Sequence, residues 1–140
     1  MAKQEFKAPL EKISAAKLKV VKKKKLNVKP LIGKWINCDK KTRNLVSVEL
    51  GNQRGVFTVH PFGACTPTPC DWGTAKGLAY SESVSSTDAV AFKATFKFSF
   101  KRAIVTGHLC EGCLVVETYN HFTDGSGRCD YYTRNCFYRR

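Results

Sequence analysis

The chain has 140 residues, with 24 Lys and Arg against 11 Asp and Glu, for a net charge of +13. That length suits one domain with an extension. An apolar content of 43% and an aromatic content of 11% exclude a wholly disordered chain. No apolar run approaches the roughly 20 residues of a membrane-spanning helix.

Residues 1–30 hold ten lysines against Glu5 and Glu11, a net of +8, while residues 31–140 carry only +5. This asymmetry predicts two parts: a Lys-rich tail over 1–30, partly helical or disordered, and a β-barrel domain over 31–140. Leu10, Ile13, Val20 and Val21 follow a helical stripe. The lysines interrupt every apolar run near Met1, so there is no secretory core of 7–15 apolar residues. The expected location is therefore intracellular, cytoplasmic or nuclear. Lys17, Lys19, Lys22, Lys23, Lys24, Lys25 and Lys29, joined by Arg139 and Arg140, are the candidate polyanion contacts. Lysine ammonium groups release counterions from a phosphate backbone without reading its sequence.

From residue 31 the hydrophobic period is two. A first strand is expected at Lys34 to Asn37. Val46, Val48 and Leu50 alternate with Ser47 and Glu49, and Phe57 and Val59 with Thr58 and His60. A further strand is expected near Gly77 to Glu82. Over 92–101, Phe92, Ala94, Phe96, Phe98 and Phe100 share one face, and Lys93, Thr95, Lys97, Ser99 and Lys101 the other. One face is dry and one is wet. Ile104 to Leu109, Leu114 to Tyr119 and Tyr131 to Tyr138 complete about eight strands. Gly51-Asn52 through Gly55, Lys101-Arg102, Glu111-Gly112 and Asp124 to Gly127 punctuate them. The expected fold is all-β, a small antiparallel up-and-down barrel filled by phenylalanines.

Leu31-Ile32-Gly33-Lys34-Trp35 resembles the Gly-x-Trp entrance of lipocalin and avidin-like barrels, where the tryptophan plugs one end. A longer resemblance runs from Trp35-Ile36-Asn37-Cys38-Asp39 through Cys65-Thr66-Pro67-Thr68-Pro69-Cys70-Asp71-Trp72-Gly73 to Phe122 to Arg128. These segments resemble an uncharacterised family of small domains, mainly bacterial and fungal, with Trp-x-Asn-x-Asp and Cys-x-Pro-Thr-x-Cys-Asp-Trp-Gly motifs. The resemblance supplies no catalytic residues.

The seven cysteines are an odd number, so at least one is free or bonds another chain. Cys65 and Cys70 bracket a Pro-stiffened loop, and Cys110 and Cys113 bracket a two-residue turn. Each pair is a candidate local disulfide. A zinc site drawing four thiolates from the two pairs with Cys129 and Cys136 is the alternative, and one shared by both pairs requires the two loops to meet. His60, His108 and His121 show no nucleophile–base spacing, and no phosphate loop precedes a helix. A non-enzymatic protein without a cofactor is expected.

Lys93, Lys97 and Lys101, near Arg102 and with Arg134, Arg139 and Arg140, are a basic patch, or the strand lysines are edge protection. Tyr131, Tyr132, Phe137 and Tyr138 supply stacking surfaces beside it. The expected function is a barrel scaffold whose basic tail contacts a polyanion: RNA or a ribonucleoprotein, with ribosome association as one setting. The alternative is a lipocalin-like carrier of a small apolar ligand, with Phe92, Phe96, Phe98 and Phe100 lining or filling the interior.

Overall fold

The computed structural model describes residues 24–140. The helical stripe of the tail, and Lys17, Lys19, Lys22 and Lys23, lie outside the described residues. The period-two pattern becomes ten strands. They are β1 (Gly33–Asn37), β2 (Leu45–Gln53), β3 (Val56–Gly63), β4 (Cys70–Asp71) and β5 (Ala75–Lys76), then β6 (Leu78–Tyr80), β7 (Ala91–Lys97), β8 (Lys101–Cys110), β9 (Cys113–Phe122) and β10 (Tyr131–Arg139). Each is antiparallel to its neighbours in the order β4-β3-β2-β1-β10-β9-β8-β7-β6, with β5 also on β3. Tight turns make this order possible. Glu111 and Gly112 take φ of 49° and 82°, the left-handed pair of a two-residue hairpin.

The all-β antiparallel class is as expected, but the closed eight-strand barrel is not what forms. The sheet has ten strands and its ladder does not close. The reason lies between residues 64 and 80. Two prolines, the Cys65–Cys70 disulfide and the left-handed Gly73 break this stretch into strands of two, two and three residues. None is long enough for a closing ladder. Instead β5 lies on β3, with Thr58 opposite Lys76. Gly77 donates its N–H to the Phe57 carbonyl at 2.8 Å, and β6 then crosses to β7, with Ala79 opposite Phe92.

The inner face of the sheet holds the core: Trp35, Val48, Leu50, Phe57, Val59, Phe92, Ala94, Phe96, Val105, Leu114, Val116 and Phe137. Trp35 is buried and donates its indole N–H to the Leu31 carbonyl at 2.9 Å. A second correction concerns the 92–101 run, which is not one strand. It ends at Lys97 and turns through Ser99 and Phe100, and the Phe98 N–H donates to the Lys101 carbonyl at 2.8 Å. The turn resets the alternation. Lys101 therefore falls on the inner face of β8, only 8% exposed, while Phe100 is 40% exposed. Phe92 and Phe96 do point inward, as expected.

Packing begins before Leu31. Asn27 forms a parallel bridge with Asp88, its N–H donating to the Thr87 carbonyl at 2.8 Å. Leu26 and Val28 lie half-buried against the core. Among the described residues, no helix is long and apolar enough to cross a membrane.

Candidate functional site

The inner face changes character along β9. Leu114 and Val116 are apolar, but the same parity continues as Thr118 and Asn120, both 3% exposed. Antiparallel order brings the end of β9 beside the starts of β8 and β10, so Lys101, Tyr131 and Thr133 join them. A cavity of about 370 Å³ opens at this rim. It is lined by these residues and by Leu45, Cys65, Cys70, Trp72, Phe98 and Phe100. That volume falls within the range of small-molecule sites.

Lys101 is the centre of the arrangement. Its Nζ donates to Asn120 Oδ1 at 3.0 Å and to the Tyr131 hydroxyl at 3.4 Å. It lies 4.6 Å from the centroid of the Trp72 ring and 5.6–5.9 Å from those of Tyr131, Phe98 and Phe100. The ring faces partly compensate the charge. Among the described residues, no carboxylate lies within 4 Å of this ammonium. Burial pushes the amine below the ordinary lysine range, and the nearby positive charge of Arg128 adds to that. The remaining polar partners are satisfied among themselves. Asn120 Nδ2 donates to Thr118 Oγ1 at 3.0 Å, and the hydroxyls of Thr118 and Thr133 lie 2.5 Å apart.

Trp72 roofs the cavity, packed edge-on against Phe96 and Phe98 at centroid distances of 5.8 and 5.2 Å. The neighbouring residues hold it there. Its backbone N–H donates to the Pro61 carbonyl at 3.1 Å. Asp71 accepts from the Gly73 N–H at 2.7 Å and pairs with His60 Nε2 at 2.5 Å. The backbone bond first, and the His60 bond second, hold the Asp71 carboxyl below its ordinary range. The Cys65–Cys70 disulfide closes the loop just before it, with Cα atoms 5.5 Å apart.

The 124–128 turn lies beside the rim, with the Arg128 guanidinium 5.8 Å from the centroid of the Phe100 ring. Arg128 pairs with Asp124 at 2.8 Å and lies 4.1 Å from the Phe122 ring centroid. Hydrogen bonds from Ser126 and Arg128 hold the Asp124 carboxyl at about 2. Because this value is depressed, the contribution of Asp124 is complete above the ordinary aspartate range and is lost as pH falls toward 2. An NMR titration should show residues 124–128 loosening only below about pH 4. Loosening already at pH 5–6 would contradict the pairing.

The candidate residues fall in separate places. Lys24, Lys25 and Lys29 are exposed on the opening segment. Arg139 lies over the Trp35 ring, 4.6 Å from its centroid, and its guanidinium donates to the Pro30 carbonyl. Arg140 donates its backbone N–H to the Lys34 carbonyl at 2.9 Å. Cys65 and Cys70 are bonded to each other, whereas Cys110 and Cys113 are free thiols. The first pair lines the cavity, and the second flanks the β8–β9 turn at the far end of β8 from Lys101. Among the described residues, no three His, Cys, Asp or Glu side chains converge to hold a metal.

The Trp-x-Asn-x-Asp motif is a latch. Asn37 Nδ2 donates to the Leu45 carbonyl at 2.9 Å, and its Oδ1 accepts from the Asp39 N–H at 2.8 Å. Sequence reasoning missed Thr118, Asn120 and Thr133 as site residues and placed Lys101 in a basic patch on the outer face, whereas it is buried at the cavity. The available signal was two polar residues continuing the apolar parity of Leu114 and Val116. No protein-family model, curated protein or solved structure matches the chain.

Proposed function

We propose that this protein is a non-enzymatic binding module whose cavity takes a small ligand with a planar apolar body and one carboxylate. One observation carries this reading: a buried lysine without a carboxylate partner among the described residues, facing a cavity under an aromatic roof. An ammonium held there makes a short, charge-assisted bond to an incoming carboxylate. Trp72, Phe98, Phe100 and Tyr131 supply ring faces for the body of the ligand. The reading refines the carrier alternative by adding an anionic group to an apolar ligand.

The test is titration of tryptophan fluorescence with aromatic carboxylates and their neutral amides. Carboxylates should bind at least tenfold tighter, and Lys101→Met should erase the difference. Equal affinity for acid and amide would defeat the proposal. The same variant should be more stable than the parent by about 0.5–2 kcal/mol, as when a functional group is held at a cost to the fold. The sign follows from the depressed amine. The unfolded chain binds that proton more readily, so the cost grows as pH falls from the ordinary lysine range and is complete below the folded value.

The second reading is polyanion attachment through the Lys-rich tail, supported by its net charge of +8. Its test uses deletion of residues 1–23, because Leu26, Asn27 and Val28 pack on the domain. The truncated chain should elute from immobilised RNA at distinctly lower salt while unfolding at an unchanged temperature. Unchanged retention would remove the tail from the function.

A further inference from the structure

Four of the five free thiols belong to adjoining positions of one sheet face. Cys110 and Cys113 are directly opposed across the β8–β9 turn. Leu114, the next residue of β9, is opposite Phe137 of β10, and Phe137 is opposite Asn37 of β1. One step further along that seam, Cys38 faces Cys136, and its N–H donates to the Cys136 carbonyl at 2.9 Å. Phe137 and Asn37 point into the core, so Cys136 and Cys38 point outward, and both are exposed. Directly opposed residues of a hydrogen-bonded antiparallel pair have Cα atoms about 5.5 Å apart, inside the range a disulfide needs.

We propose that Cys38 and Cys136 form a redox-active dithiol that a low-molecular-weight disulfide, such as oxidised glutathione, converts to a cross-strand disulfide. Cys136 loses its proton to solvent, and its thiolate attacks one sulfur of the small disulfide. One small thiolate leaves and a mixed disulfide remains. Cys38, deprotonated in turn, attacks the Cys136 sulfur and expels the second small thiolate. Two protein thiols are oxidised and one small disulfide is reduced to two thiols. Cys38 is held above the ordinary thiol range, by partial desolvation first and then by the neighbouring Cys113 and Cys136 sulfurs, which lowers its thiolate fraction.

The location gives the bond its effect. The β1–β10 ladder joins the strands β1–β5 to the strands β6–β10 through only three residue pairs. A Cys38–Cys136 bond fixes the end of that seam. Because both thiols are exposed, the bond stays accessible to small reductants, as labile disulfides are.

The experiment equilibrates the full chain in glutathione buffers of graded ratio, traps thiols by alkylation and maps peptides, with thermal unfolding in parallel. A Cys38–Cys136 cross-linked peptide should appear as the buffer becomes oxidising, with a rise in Tm of roughly 10 °C, since the bond closes a long loop. Cys136→Ser should lose the rise, and the double variant Cys110→Ser, Cys113→Ser should keep it. Full alkylation of Cys38 and Cys136 in the most oxidising buffer would overturn the proposal. So would a Cys38–Cys113 bond in the wild-type chain, or a rise that survives Cys136→Ser.

Discussion

Trp35→Ala is expected to destabilise the domain by about 3–5 kcal/mol, the usual cost of removing a large aromatic from a core. The side chain is 2% exposed, and Leu31, Leu50, Leu114 and Phe137 belong to the same buried cluster. Three losses coincide in this substitution. The ring leaves a cavity, the Leu31 carbonyl loses its indole donor, and the Arg139 guanidinium loses the ring beneath it. Trp35→Phe separates them, because it fills most of the space but restores no donor. It should recover more than half of the loss in chemical denaturation. A Trp35→Ala cost below about 1 kcal/mol would mean that the ring does not anchor the seam between β1 and β10.

Gly107→Ala should be strongly destabilising, because its added Cβ makes the closest contact of any glycine. A Cβ added at Gly107 would collide with the Phe92 ring, within 2.7 Å of its Cζ and closer still to Cε1. Phe92 is 2% exposed, so its ring has nowhere to go. Overpacking of this kind costs typically 1–3 kcal/mol, and the rigid ring places this case at about 3 or above. The cause is steric and therefore specific to one neighbour. Phe92→Leu in the Gly107→Ala background should return part of the lost stability, although Phe92→Leu alone destabilises. Measured as a double-mutant cycle, the two changes should couple favourably by more than about 1 kcal/mol. Additive losses would show that the backbone, not Phe92, objects to the methyl.

The strands were legible where the pattern was local. Alternation at Val48 to Leu50 and at Phe92 to Phe96, and the Glu111-Gly112 turn, lie within a few residues of chain, and β2, β7 and the β8–β9 hairpin arise from them. A bulge between Leu45 and Ser47, however, puts Leu45 in the core where Val46 was expected. The inward Lys101 was not legible. A turn at Ser99 and Phe100 reverses the facing of the residues after it, and neither residue type demands a turn. The run Phe96 to Lys101 reads as uninterrupted alternation. Barrel closure was misjudged for a related reason. Counting strands gives no measure of their length, and β4, β5 and β6 are too short to form a closing ladder. The cavity was hidden because it gathers the end of β9, the starts of β8 and β10 and the loop before β4. Only the register sets those neighbours.

The short terminal strands of the sheet also bear on how copies of this chain meet one another. A sheet that ends on a long, flat, unpaired strand offers its backbone as a template for the next molecule. Here the hydrogen-bonded order ends on two residues at β4 and three at β6. The stretch before β4 carries Pro67 and Pro69, which have no N–H to donate. Beyond the reach of β6, the free stretch of β7 ends at the exposed Lys97. Among the described residues, neither margin offers the long run of free donors and acceptors on which edge-to-edge growth depends, so neither border is expected to add a strand from a second copy.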